Sequence, residues 1–214
     1  MTLLGAVAEI WTQPWRRLRL RCLFGVKVPS DCKIGRHVTV SGRLVLGHKV
    51  TIEDGCRLTG DISIGSNAFI CRQVEMTGNI SIGNDCVVGS FTILSTASAG
   101  MLDVGIDTYI NSFTVIGAME AVSIGDHCIF AAYVAITDAT HGIDDLSIAT
   151  KHAPIAAKPV RIGNNVWLGS GVMIMMGSHV GDHAVVGARS LVRGDLPDRS
   201  VSFGTPAKVH RLRQ

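Results

Sequence analysis

From Ile34 to Leu94 a large apolar residue returns at every sixth position: Ile34, Val40, Leu46, Ile52, Leu58, Ile64, Ile70, Met76, Ile82, Val88 and Leu94. A helix repeats its apolar stripe at about 3.6 residues and a half-buried strand at two, so a period of six belongs to neither. Four positions after each of these comes a second small or branched residue: Val38, Leu44, Val50, Cys56, Ile62, Ala68, Val74, Ile80, Cys86 and Thr92. With both positions directed inward, short extended runs joined by tight turns stack along an axis as a parallel β-helix. Each coil then buries its inner face only against its neighbours. Glycine follows the apolar position at Gly35, Gly47, Gly65, Gly83 and Gly89, where positive φ or tight packing is expected.

The repeat predicts an all-β domain over residues 31–196, flanked by a segment at 1–30 and a basic tail at 197–214. Leu3, Leu4, Val7, Ile10 and Trp11 have helical spacing, and an interleaved basic and apolar run, Trp15 to Phe24, follows Pro14. Two readings of this start remain open. It caps the first coil, whose strand edges would otherwise be exposed, or it is a basic amphipathic segment touching a membrane surface through residues 1–24. The tail passes Pro197 and Gly204-Thr-Pro206 and is expected to end as a basic stretch in a short helix. The repeat itself is interrupted at Ser95–Gly100, slips by two residues around Met119–Ala121, and is suspended from His141 to Arg161 before resuming with Ile162, Leu168, Ile174, Val180, Val186 and Val192. A long loop inside a repeat array is usually functional or disordered.

Composition narrows the function classes. The charged fraction is 17%, below the roughly 25% of an average soluble domain, which suggests surface hidden between subunits. A net charge of +3 is too weak to imply a nucleic-acid partner, although the cations cluster at Arg16, Arg17, Arg19 and Arg21 and at Lys208, Arg211 and Arg213. Six cysteines lack any CxxC pair, and Cys56, Cys86 and Cys128 fall on inward positions where cysteine acts as a small hydrophobe. No secretory pattern and no apolar run of about 18 residues is present, which points to the cytoplasm, with peripheral contact at the inner membrane face as the variant reading.

Four motifs, Ile136-Thr-Asp-Ala-Thr-His141, Ile162-Gly-Asn-Asn-Val-Trp-Leu-Gly-Ser170, Val186-Gly-Ala-Arg-Ser-Leu-Val192 and Gly204-Thr-Pro-Ala-Lys-Val-His-Arg211, resemble those of the hexapeptide-repeat acyltransferases. The similarity is greatest to sugar and polysaccharide O-acetyltransferases of the galactoside, maltose and xenobiotic type. The resemblance implies a left-handed β-helix, a homotrimer with active sites between subunits, and acetyl-CoA as co-substrate without a metal. It makes His141 the catalytic base, an imidazole suited to proton transfer near neutral pH. It assigns the cofactor side to Trp167, Gly169, Ser170, Gly187, Ala188, Lys208 and Arg211. In that scheme a backbone N–H at Ser170 serves the oxyanion, Trp167 lies along the pantetheine arm or is buried between subunits, and the two cations meet phosphates. Tyr109 and Asn111 match acceptor positions. The chain departs from relatives at Ile116-Gly-Ala-Met119 and at Ala139, which leaves the acceptor open.

The resemblance therefore implies O-acetylation of a sugar or cell-surface polysaccharide intermediate. Its alternatives are N-acetylation of an amino sugar and a non-catalytic trimeric scaffold. A zinc-dependent hydration enzyme on the same fold would need three converging histidines; His141 has no partner five residues on, and His179 and His183 are expected to face solvent.

Overall fold

The structure is a computed structural model that describes residues 8–10 and 28–214. The hexads form a left-handed parallel β-helix with three faces, in which one coil takes three hexads, or eighteen residues, before the chain passes over itself. The first face stacks Lys33–Ile34, Thr51–Ile52, Phe69–Ile70, Val87–Val88, Tyr109–Ile110, Ile129–Phe130, Trp167–Leu168 and Val185–Val186. Long strands at Val38–Leu46, Arg57–Ile64 and Glu75–Ile82 fold around a corner and so serve both the second and third faces of the early coils. Above them the second face continues through Ile93–Thr96, Val115–Ala118, Ala135–Thr137, Met173–Ile174 and Leu191–Val192. The third continues through Met101–Val104, Ala121–Ile124, Val160–Ile162, His179–Val180 and Asp195–Leu196.

The periodic positions fill the core. From Val40 onward the first set is buried, and all ten residues of the second set, Val38 to Thr92, are buried as well. Ile34, on the first coil, is only partly covered. Burial pushes the Cys56 thiol up to about 11, which leaves it a packing group rather than a nucleophile.

The two readings of the corner glycines separate cleanly. A Cβ on Gly65 would sit 2.5 Å from the Asn84 amide nitrogen, and one on Gly35 would sit 2.6 Å from that of Asp54. These glycines are therefore required by close approach of the next coil. Positive φ falls two residues after these corner glycines on side chains, including Lys49, Asn67, Asp85, Phe91 and Asn165. At the corner between the third and first faces, the residue after the glycine joins successive coils through its side chain. Ser66 N–H donates to Asn84 Oδ1 at 2.7 Å, Asp126 N–H to Asn164 Oδ1 at 2.9 Å, Asn164 N–H to Asp182 Oδ1 at 2.7 Å and Asp182 N–H to Asp198 Oδ1 at 2.9 Å. Each bond satisfies a turn amide that no strand pairing reaches.

All three interruptions leave the helix at one corner, between the second and third faces. The early coils turn there through Gly42, Gly60 and Gly78, with φ of 110°, 114° and 107°; later coils carry Ser95–Gly100, then the slip at Met119–Ala121, then the long loop. The loop starts and ends earlier than the hexad count suggests. Val160 is already buried and paired with Val122, and the departure begins at Ala139.

Both chain ends differ from the helical expectation. Ala8–Ile10 is a strand, antiparallel to Val38–Val40; the rest of the 1–27 segment lies outside the described residues. The tail is also a strand, with Ala207–Leu212 doubling back on Ser200–Gly204. An antiparallel strand satisfies the last open edge of the sheet, which a helix would leave unpaired. Among the described residues no helix is long and apolar enough to cross a membrane.

Close approach at the corners gives a paired test. Gly65→Ala should destabilise by about 1–3 kcal/mol through overpacking. Gly117→Ala, whose new Cβ would meet nothing nearer than 3.9 Å, should be neutral or stabilising by up to about 1 kcal/mol. Denaturant midpoints of the two variants check both outcomes; equal loss at the two sites would contradict the packing argument.

Candidate active site

The stacking register collects most of the candidate residues on one side of the molecule. Tyr109, Ile129, Trp167 and Val185 occupy successive outward positions of the first face, followed by Val201, whose antiparallel partner is Arg211. Tyr109, Ile129 and Trp167 are all exposed, Trp167 by 54%. Asn111, Ser170 and Ala188 sit at the corner into which this face turns. The Asn111 side-chain oxygen is engaged by the Ser112 N–H at 2.7 Å.

Ser170 is exposed, and its hydroxyl donates to the Ala132 carbonyl at 2.8 Å. Among the described residues nothing accepts from its backbone N–H. Gly169 and Gly187 have packing reasons of their own: a Cβ on the first would sit 2.6 Å from the Ala188 amide nitrogen, and one on the second 2.8 Å from the Phe203 Cβ. Lys208 and Arg211 are exposed on the final strand. No described carboxylate lies within ion-pair distance of either, so both charges are available to an anion.

His141 does not join this group within one chain. The loop returns on itself as a two-stranded ribbon, Ala139–His141 against Ile155–Ala157, with His141 paired to Ile155. Gly142 N–H donates to the Pro154 carbonyl at 2.8 Å. The ribbon leaves from the corner opposite the first face, and the imidazole is exposed on it. His152 lies on a short 3₁₀ turn, Thr150–His152, farther along the same loop.

Two further features of this region had gone unread in the sequence. The first is an apolar band along the corner between the first and second faces. Phe91, Phe113 and Tyr133 hold positive φ there and stack with ring centroids 5.3 and 5.0 Å apart, both pairs within 6° of parallel. The band extends over the second face through the exposed Ile93, Val115 and Met173. The outward column of the third face is polar by contrast: Ser63, Ser81, Asp103, Ser123, Arg161 and His179. A search for inward positions passes over such a band, because the signal lies in the outward ones. The second feature is Asp138, buried at the root of the ribbon. Among the described residues no three His, Cys, Asp or Glu side chains converge as a metal site, and His179 and His183 are exposed.

Residues 159–194 match the family model described as bacterial transferase hexapeptide (six repeats). A galactoside O-acetyltransferase of Lactococcus lactis is 52% identical over 54 residues, 25% of this chain and 26% of that protein. The chain spans between a quarter and a third of the length of the first curated relatives it matches. A hexapeptide-repeat acetyltransferase of Vibrio cholerae, solved with acetyl coenzyme A, is 27% identical with a TM-score of 0.54, over 64% of this chain and 70% of that one. A polysialic acid O-acetyltransferase, 22% identical with a TM-score of 0.65 over 87% of this chain and 84% of that one, shares the fold. The chain thus carries the hexapeptide repeat of the bacterial transferases, wound as a left-handed β-helix similar to those of acetyltransferases.

Proposed function

We propose that the chain is an acetyl-CoA-dependent O-acetyltransferase for a hydroxyl of a sugar or cell-surface polysaccharide intermediate, working as a homotrimer with its sites between subunits. The observation that carries this reading is the division of the candidate residues. The coenzyme-side group lies on the first face, His141 rides on a ribbon at the opposite corner, and an exposed aromatic band lies between the first and second faces. A three-fold assembly packed on that band covers its apolar surface and sets the ribbon of one subunit beside the first face of the next. The similarity to a galactoside O-acetyltransferase supports a sugar acceptor, and the acetyl-CoA complex of the Vibrio relative supports the donor.

In this reading His141 accepts the proton of the acceptor hydroxyl as its oxygen attacks the acetyl carbonyl carbon. The uncommitted Ser170 N–H donates to the oxyanion of the tetrahedral intermediate. When the C–S bond breaks, the leaving sulfur takes the proton back from the imidazolium, giving acetyl ester and free coenzyme thiol. Trp167 lies along the pantetheine arm, and Lys208 and Arg211 meet phosphates at the end of the same column.

Three measurements follow from these assignments. His141→Ala should lower kcat by about 10²–10⁴-fold, the usual contribution of a positioned general base, with the acetyl-CoA KM nearly unchanged. The wild-type rate should rise with pH, as general-base catalysis requires, and the mutant should lack that rise; a mutant retaining more than about a tenth of kcat would move the role to another group. Lys208→Ala with Arg211→Ala should raise the acetyl-CoA KM at least about tenfold, since a charge-assisted contact is worth roughly 1.5–3 kcal/mol. The acceptor KM should be unchanged in that variant, and both positions are exposed, so thermal stability should hold; an unaltered coenzyme KM would remove them from the site. Sedimentation at micromolar concentration should give a trimer, and a monomer would defeat the shared site.

A further inference from the structure

Asp138 is fully buried and has no ion-pair partner among the described residues. Its carboxylate is held by backbone alone. Oδ1 accepts the Met119 N–H at 2.7 Å, and Oδ2 accepts those of Glu120 and Ala121, each at 2.8 Å. These three amides are the two-residue slip of the coil below, whose purpose the repeat alone does not explain. A regular corner offers no run of three amides; the slip creates one, and the acid in the coil above fills it. A buried carboxylate is stable only when hydrogen-bonded in this way.

The carboxylate also stands where the ribbon begins. The Asp138 carbonyl accepts the Lys158 N–H at 2.8 Å, closing the base of the loop, and the Lys158 carbonyl accepts from Gly177 at 3.0 Å. From that clamp the ladder runs outward through Ala139 and Ala157, Thr140 and Ala156, to His141 and Ile155. Rotation at Asp138 would be carried along two paired strands to the imidazole.

We propose that Asp138 is a positioning residue: its carboxylate, bound to the Met119–Ala121 amides, fixes the direction in which the ribbon carries His141. The proposal rests on the reading of His141 as base. Asp138→Asn, nearly isosteric, places an amide NH₂ against backbone donors and so breaks the clamp while adding no volume.

The test uses the full chain with acetyl-CoA and the acceptor employed for His141→Ala. Asp138→Asn should lower kcat roughly 10- to 100-fold, the scale of a misplaced catalytic group, with the acetyl-CoA KM within about twofold of wild type. The pH-dependent rise should persist, because the base is still present, and protease cleavage within residues 142–157 should quicken. A role in general folding would instead move coenzyme binding together with the rate. If Asp138→Asn does not fold, Met119→Pro removes a single donor at an exposed position and should shift the same quantities in the same directions. A folded variant with kcat within about threefold of wild type, or with coenzyme affinity lost in parallel, overturns the proposal. Should His141→Ala keep the wild-type rate, the base assignment fails by itself. Cleavage of the ribbon then decides the anchoring: unchanged in Asp138→Asn it is overturned, quickened it stands.

Discussion

The whole molecule depends on the stacking of one coil on the next. Strand amides donate to the carbonyls of the coil above, as Thr51 N–H does to Ala68 at 2.9 Å and Phe69 N–H does to Cys86 at 2.8 Å. Each inner side chain stays in register with its counterpart on the next coil, so any residue in excess of three hexads has to leave the helix at a corner. The faces tolerate no insertion, and the chain places every excursion at the corner between the second and third faces. The proposed site follows from that restriction, because the ribbon bearing His141 is the largest of these excursions and emerges opposite the first face.

Stacking also turns sequence neighbours into columns. Residues with no local relation, such as Tyr109, Trp167 and Arg211, share one line because the register repeats. An apolar or charged side chain on a column is repeated at about the spacing of strands in a sheet. This builds extended surfaces from single residues per coil: an aromatic band at one corner, a polar column on the third face. The aromatic corner also shows how a local penalty is offset. Positive φ is unfavourable for Phe91, Phe113 and Tyr133, and their parallel stacking returns about 0.5–1.5 kcal/mol per pair.

The core and the loop were legible in the sequence because each rests on periodicity: Ile52 or Ile70 is inward by its number, and His141 stands where the numbers stop. The corner chemistry was legible only in part. Gly65 signalled a tight turn, but the left-handed residue proved to be Asn67, since an Asn or Asp tolerates that region while no side chain of any kind fits beneath Asn84. The tail was misread because Lys208, His210 and Arg211 carry no strand signal of their own; what makes them a strand is the open edge of Ser200–Gly204. Asp138 lies inside the Ile136–His141 motif but carries no signal of its role there, because its partners are backbone amides on another coil, and backbone has no sequence identity. The separation of His141 from Trp167 could not be read either, as it depends on which corner the loop leaves.

That separation is the centre of the account, and mixed assemblies test it directly. His141→Ala chains and Trp167→Ala chains, each defective alone, would be unfolded and refolded together, and the mixed trimer isolated by differential tags. If the base and the coenzyme face of one site come from different subunits, each isolated mixed trimer has both intact halves at one site, or about a third of the sites. Acetyl transfer should then return to roughly that fraction of wild type. If mixed trimers form and stay as inactive as either parent, the two residues do not meet across subunits, and the shared site is wrong.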